Sequence, residues 1–387
     1  MRVYLKPGKE KKLLNHYPFG HQADLSECDS GVLDGDVVDV CTHQGVTIGR
    51  GYFNEKGRIP LRMLTLQNEA IDLSFFERRI EKAVQKRSGL DAQAKRLIYA
   101  EADGLPGLIV DRFGDTLSVQ IRTLGTERHR DIILKALRNV TQCPNAFERS
   151  DTAERKREGL QTQTGTLWGS VGDRVDFVEE DIRFHFHPFS GQKTGFFLDQ
   201  RDNRKLMREK IQPGQAFLDV YSYTGGFSLH AAKAGALATA IDKDAFALET
   251  LKQTAQENGL GSQIQSLCGD ALMHLRDLVA QGKRFDHAVF DPPALVKRKD
   301  EIPGAKRIFS DGVSSIMQML GAGGYLLVST CAHPLRVEDL LDACRIAAGQ
   351  AERVAEIVTV TYQPMDHPWM LLVPESLYLK SVLLKVL

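Results

Sequence analysis

The sequence predicts a multidomain α/β protein in which a small β-barrel and a central α+β domain precede a doubly wound, mostly parallel sheet of seven strands. Three observations carry this expectation. At 387 residues the chain is too long for one ordinary core, and at about 150 residues per domain it suggests two or three domains. Short alternating apolar runs punctuated by glycine fill residues 1 to 72, whereas apolar runs of strand and helix type alternate from Gln212-Pro-Gly onward. The last two apolar runs then follow each other with no helix between them, which points to an antiparallel hairpin at the sheet edge.

Within 1–72, Gly35-Asp-Val-Val-Asp-Val and Val46-Thr-Ile-Gly-Arg-Gly-Tyr-Phe alternate as barrel strands do. The central domain is expected over 73–190. Its apolar spacing turns helical from Leu73 to Gly89, and Arg96-Leu-Ile-Tyr and Leu117-Ser-Val-Gln-Ile-Arg read as strands flanking the turn-rich Asp103-Gly-Leu-Pro-Gly. A helix over 130–140 and strands near Phe147 and Ile182 complete it. The third domain, 191–387, alternates strictly: strand Ala216-Phe-Leu-Asp-Val, helix 227–234, strand Ala238-Thr-Ala-Ile-Asp, helix 245–258, strand Ile264-Gln-Ser-Leu. Strands ending at Asp291 and Cys331, a helix over 337–348, and the runs Glu356-Ile-Val-Thr-Val and Tyr378-Leu-Lys-Ser-Val-Leu-Leu follow.

Composition is that of a soluble globular chain, 42% hydrophobic and 26% charged, with no apolar stretch of spanning length and no signal-peptide pattern at Met1-Arg-Val-Tyr. A cytoplasmic, membrane-free protein is expected. The six cysteines, Cys28, Cys41, Cys143, Cys268, Cys331 and Cys344, are dispersed without a Cys-x-x-Cys pair, which argues against a zinc knuckle or a disulfide framework. His185 and His187 lack an evident third ligand, so no metal is expected. Formal net charge is zero, yet basic residues cluster at Lys6–Lys12, at Arg78, Arg79, Lys82, Lys86 and Arg87, and at Lys297, Arg298, Lys299, Lys306 and Arg307. The second cluster reads as a solvated helix face paired with Glu77 and Glu81. The third, a long basic loop after Asp291, is placed to hold a polyanion.

The turn after the first strand of the third domain, Asp219-Val-Tyr-Ser-Tyr-Thr-Gly-Gly-Phe, has an acid at the strand end and glycines where a backbone passes close to a ligand. It lacks the G-x-G-x-x-G spacing that cradles a pyrophosphate. A carboxylate at Asp219 suits a ligand with an ammonium group, Asp242 ends the second strand where ribose hydroxyls are met, and Asp270 could accept from an adenine amino group. An isolated Asp at such a turn is more often a helix N-cap. Three at successive strand ends describe S-adenosylmethionine.

Asp291-Pro292-Pro293 ends the fourth strand, and the prolines deny the loop helical continuation. Cys331 ends the fifth. A thiolate facing an Asp-Pro-Pro loop can add to carbon 6 of a pyrimidine and make carbon 5 nucleophilic, which methylation of an already nucleophilic atom does not require. The base would be cytosine or uracil, single-stranded or flipped out. His333 and Asp366 are candidate proton acceptors. Two other readings stay open: methylation of a base nitrogen with Cys331 merely structural, and a non-catalytic RNA-binding assembly factor.

Lys193-Thr-Gly-Phe-Phe-Leu-Asp-Gln-Arg-Asp-Asn-Arg, Ser222-Tyr-Thr-Gly-Gly-Phe, Asp291-Pro-Pro, Thr330-Cys331, Asp366-His-Pro, Pro374-Glu and Tyr378-Leu-Lys, with Glu101-Ala-Asp-Gly-Leu-Pro-Gly, Arg149-Ser-Asp and Arg155, Lys156 and Glu158-Gly159 upstream, resemble the ribosomal RNA large subunit methyltransferase I family. The resemblance covers nearly the whole chain. It implies an N-terminal PUA barrel, a central α+β domain and a C-terminal Rossmann-like methyltransferase that forms 5-methylcytosine in 23S ribosomal RNA with S-adenosylmethionine. It further implies Cys331 at the nucleophile position and Gln200 and Arg201 beside the cofactor; the reading of the residues adds Asp291 to the catalytic pair and Asp219, Tyr221, Tyr223, Gly225, Asp242 and Asp270 to the cofactor site. Pro292, Pro293, Lys297 and Arg298 would meet RNA, and a homodimer is allowed. The chain departs from the family pattern at Ala294, at Phe309-Ser-Asp-Gly-Val and at His16-Tyr-Pro-Phe.

Overall fold

The computed structural model describes residues 1–190 and 195–387, so Lys193 and Thr194 of the family-like motif lie outside the described residues. The chain forms two compact units. The first comprises Met1–Glu179, Phe186–Phe196 and Met365–Ser376; the second comprises Glu180–His185, Phe197–Pro364 and Leu377–Leu387.

The first unit begins with a six-stranded sheet in the order Phe19–Gly20, Leu61–Thr65, Thr47–Phe53, Val37–Cys41, Arg2–Leu5, Leu25–Cys28. It curls around Val3, Leu5, Val38, Val40 and Leu61. Its two edge strands do not pair with each other among the described residues, so the expected barrel is a half-barrel. A second sheet follows in the order Gln163–Trp168, Asn145–Ser150, Thr116–Ile121, Leu108–Phe113, Ala94–Tyr99. Asn145–Ser150 runs parallel to Thr116–Ile121 because the helix Arg130–Thr141 carries the chain back between them. Leu108–Phe113 is a strand where the sequence reading has only a turn between two flanking strands. Asp111 interrupts its apolar run, and the strand tolerates that buried acid because Arg96 grips both carboxylate oxygens at 2.7 and 2.9 Å.

Arg78, Lys82 and Lys86 of the basic cluster are exposed, as the spacing suggests, but Arg87, just beyond the helix Leu73–Gln85, is not. Arg87 is 1% exposed and grips Asp103 with two hydrogen bonds of 2.8 and 2.7 Å. It also donates to the main-chain oxygen of Asp366 at 3.0 Å, tying down the segment Met365–Ser376. Burial alone would raise the Asp103 carboxyl, but Arg87 and Lys86 outweigh it and hold that group below the usual carboxylate range. Asp366 is itself fully buried, with its carboxylate accepting from the Arg96 N–H at 3.0 Å. That gives it a structural part.

The second unit is a seven-stranded sheet in the order Ile264–Cys268, Leu237–Asp242, Ala216–Val220, Phe285–Phe290, Leu320–Thr330, Lys380–Val386, Ala355–Tyr362. The first five are parallel. The last strand in sequence inserts antiparallel between Leu320–Thr330 and Ala355–Tyr362, so the expected hairpin has its second strand inside the sheet and its first at the edge. Successive residues pack on opposite faces, as the two-residue period of a strand requires. Leu218, Phe290, Leu326 and Val328 join one core, and Phe217, Val289, Leu327 and Leu383 the other.

Two helices escape the sequence reading, Ala271–Ala280 and Ile302–Met319. The second contains Lys306 and Arg307, so the expected basic loop is half helix. Pro303 and the internal Gly304 and Gly312 disguise it. Proline is at home in a first helical turn, and a Cβ at Gly312 would lie 2.4 Å from the Phe290 ring, so close packing of helix on sheet demands glycine there. Among the described residues no helix is long and apolar enough to cross a membrane.

Removing one partner of a buried ion pair strands the other in a medium that solvates it poorly. Arg87→Met should therefore lower the unfolding free energy of the first unit by about 3–5 kcal/mol in urea titrations, and Arg87→Met/Asp103→Leu should recover most of the loss. A depressed carboxyl contributes stability above its unfolded pKa, so the deficit should narrow as the pH falls below about 4.

Candidate active site

The sequence-predicted site residues of the second unit gather at the carboxyl ends of its parallel strands, the edge where such sheets bind ligands. Ala216–Val220 opens into a turn whose Tyr221, Tyr223 and Gly225 have φ of 65°, 51° and 73°. Left-handed backbone at two tyrosines costs on the order of 1–3 kcal/mol each. The cost is met by hydrogen bonds from the neighbouring strand: the N–H groups of Tyr221 and Ser222 both donate to the Ile241 carbonyl at 2.9 and 3.0 Å. Asp242 holds the same turn from its side chain, accepting from the Tyr223 N–H at 2.7 Å and the Asp244 N–H at 2.9 Å.

Asp219 is 1% exposed, and one of its oxygens accepts from both the Ser228 N–H (2.9 Å) and the Ser228 hydroxyl (2.7 Å). It thus closes the turn onto the helix Gly226–Lys233. Burial pushes its carboxyl up to about 6 against the lowering effect of those bonds. Asp270 caps the helix Ala271–Ala280 through the Met273 N–H at 2.9 Å, as an isolated Asp would. It also faces the turn: the Tyr221 phenol is pushed up to about 12 first by burial and then by the charges of Asp270 and Asp242.

Across the sheet, Phe290 pairs with Val328. Asp291 follows the first strand directly and Cys331 follows the second, two residues further along and roughly 7 Å beyond the level of Asp291. Asp291 accepts from the Gln200 amide at 2.9 Å. The Gln200 oxygen accepts from Asn203 at 2.6 Å, Asn203 donates to the Ser381 hydroxyl at 3.0 Å, and Ser381 meets Ser329 at 2.7 Å. A buried polar chain thus links the Asp-Pro-Pro strand to the last strand. Gln200 therefore sits against Asp291. Arg201 begins the adjoining helix Arg201–Arg208, 7% exposed.

Pro292 is buried and Pro293 exposed. Arg298 is occupied by Asp300 at 2.9 Å, while Lys297 is exposed and has no carboxylate partner among the described residues. His333 is exposed, its ring 3.4 Å from the Leu377 carbonyl. Sequence reasoning assigned no part to Asn203, Ser381 or Lys380. The signal was present in Asp199-Gln-Arg-Asp-Asn-Arg, a polar run in which Asp199, Gln200, Arg201, Asn203 and Arg204 are all buried.

The residues fit S-adenosylmethionine on an observation independent of the acids. Ser222 Oγ, at the centre of the turn, is buried without a hydrogen-bond partner among the described residues, and a buried hydroxyl of that kind calls for a ligand. A parallel sheet closed by an inserted antiparallel strand, with an acid-lined strained turn in place of a pyrophosphate loop, defines an S-adenosylmethionine-dependent methyltransferase. The family of that description matches residues 132–351, and the PUA-like domain family matches residues 3–66.

Among individual proteins, the chain is 36% identical over 392 residues to ribosomal RNA large subunit methyltransferase I of Aeromonas hydrophila, covering 99% of this chain and 98% of the relative. It is likewise 36% identical over 393 residues to the protein of that name from Pseudoalteromonas atlantica, covering 100% and 99%. This chain belongs to the ribosomal RNA large subunit methyltransferase I family. A Streptococcus mutans structure described as a SAM-dependent methyltransferase superposes with a TM-score of 0.84 over 100% of both chains at 20% identity, and SMU.776 in complex with SAH with 0.85 over the same coverage and identity. At that identity the likeness shows the fold.

A Cβ at Gly225 would lie 2.2 Å from Leu251 Cδ1, on a backbone that L-residues rarely adopt. Gly225→Ala should thus destabilise the second unit by about 2–5 kcal/mol and abolish measurable S-adenosylmethionine binding in calorimetry. Wild-type affinity in the folded variant would show that the turn does not hold the cofactor.

Proposed function

We propose that this protein methylates carbon 5 of a cytosine in large-subunit ribosomal RNA through a transient covalent bond to Cys331. The observation that carries the reading is the partly exposed thiol at the end of Leu320–Thr330, beside the strand that delivers Asp291 and at the same sheet edge as the cofactor turn. A methyltransferase acting on a base nitrogen has no use for a thiol there. The relatives' name supplies ribosomal RNA as the substrate.

Carbon 5 of cytosine is a poor nucleophile. Addition of Cys331 Sγ to carbon 6 forms a C–S bond and pushes electrons through the ring toward carbon 5 and nitrogen 3. Asp291, steadied by Gln200, meets the polar edge of the flipped base as that charge moves. Bound S-adenosylmethionine supplies the electrophilic methyl group that carbon 5 takes. Loss of the carbon 5 proton to a base then re-forms the ring double bond as the C–S bond breaks, and the thiolate returns. Asp242 would meet the cofactor's ribose hydroxyls, Asp270 its adenine amino group, and Asp219 its ammonium group. Pro292 and Pro293 would shape the base pocket, and Lys297, more than the already paired Arg298, would meet phosphate.

RNA carrying 5-fluorocytosine at the target cannot release the carbon 5 proton, so it should trap a covalent complex resolved on a denaturing gel. Cys331→Ala should abolish that complex and lower kcat by about 10³-fold or more; an undiminished complex in this variant would sink the proposal. The cofactor part has its own pH signature. Because burial lifts Asp219 to about 6, its charge is fully developed only above that pH. Calorimetry should find S-adenosylmethionine affinity falling from pH 7 to 5, and Asp219→Asn should bind weakly with that dependence removed.

A further inference from the structure

Lys380 is 4% exposed, and among the described residues no carboxylate pairs with it. Burying an ammonium group without a counter-charge costs several kcal/mol, so its place demands a reason. The register of the last strand supplies the location. Lys380 stands opposite Thr330 on one side and Tyr362 on the other, and its Nζ donates to the Ala332 carbonyl at 2.8 Å. Thr330 and Ala332 flank Cys331, so the register sets the Lys380 backbone beside one neighbour of the thiol and its ammonium group on the carbonyl of the other.

We infer that Lys380 is a positioning residue whose ammonium group provides the counter-charge for a Cys331 thiolate. The thiol proton leaves to solvent, and Lys380 keeps its own. The carbonyl bond fixes the ammonium beside the sulfur without neutralising it, which a carboxylate in the same place would do. Burial brings Lys380 down to about 8, and the Cys331 charge opposes that lowering, so the lysine stays protonated at neutral pH. Other groups nearby have partners of their own. Asp291 is held by Gln200, Asp199 accepts from the Tyr378 hydroxyl at 2.7 Å, and the His333 ring lies against the Leu377 carbonyl.

This inference deepens the nucleophilic reading of Cys331 and rests on it for its purpose, but its test does not. The alkylation rate of Cys331 by iodoacetamide in the full-length protein, followed by mass spectrometry of the Cys331 peptide from pH 5 to 10, gives the midpoint of thiolate formation directly. The wild-type midpoint is expected at least about one unit below the ordinary 8.5. Lys380→Met, which keeps the length and removes the charge, should raise it by about one unit and slow alkylation at pH 7 about tenfold. Lys380→Arg should keep it near the wild-type value, which a purely structural role would not require. A wild-type midpoint at or above 8.5 overturns the inference even if the methionine variant does not fold, as does a midpoint unmoved in a folded Lys380→Met. A low midpoint that rises in Lys380→Met while wild type forms no adduct with 5-fluorocytosine RNA would retain the charge pair and reject the nucleophile.

Discussion

Lys380–Val386 pairs antiparallel with Leu320–Thr330 through six residue pairs, from Tyr325 opposite Lys385 to Thr330 opposite Lys380, and the remainder of the candidate site depends on that register. A strand's side chains alternate faces, so a slip of one residue would turn Lys380 and Ser381 away from the places they now hold. Ser381 would lose Ser329 and Asn203, and with them the buried chain that reaches Gln200 and Asp291. Lys380 would leave the Ala332 carbonyl. The same pairing fixes the end of Leu320–Thr330, and therefore the direction in which Cys331 leaves the sheet. Apolar residues enforce it: Val382 and Leu384 enter one core and Leu383 the other, so the register that serves the chemistry is also the one that buries hydrocarbon on both faces.

The cofactor edge shows a second economy of parts. Asp219, Asp242 and Asp270 each do structural work, closing a turn, holding a strained backbone and capping a helix, before any ligand is considered. The left-handed Tyr221 and Tyr223 persist because main-chain and carboxylate acceptors over-determine them. A turn held so firmly is shaped in advance, so a ligand binding there need not order it.

The parallel sheet, the antiparallel hairpin that completes it and the acids at the strand ends were legible in the sequence because they follow from periodicity and from where runs stop; that the last strand lies inside the sheet was not. What stayed hidden lies in pairings between distant residues. Arg87 reads as one more charge on a basic helix until Asp103 appears beside it, and Leu108–Phe113 is broken as an apolar run by the Asp111 that Arg96 neutralises. Ile302–Met319 is masked by a proline and glycines whose reasons are a first turn and the nearness of Phe290. At the site, Cys331 and Asp291 stand out as unusual residues at strand ends. Lys380 sits within an ordinary apolar run, and only the register shows which carbonyl its amine reaches. Gln200 was expected beside the cofactor, and its hydrogen bond to Asp291 is a matter of side-chain geometry that spacing does not encode.

Cytosine-5 chemistry is the central claim, and the identity of the product tests it most directly. Large-subunit ribosomal RNA lacking its modifications should be incubated with the purified protein and S-adenosylmethionine, digested to nucleosides and resolved by chromatography and mass spectrometry against standards. The account predicts that 5-methylcytidine accumulates, mapping to a residue that is unpaired or readily flipped from its helix. A methyl group on a cytosine or purine nitrogen, or 5-methyluridine in place of 5-methylcytidine, would contradict it.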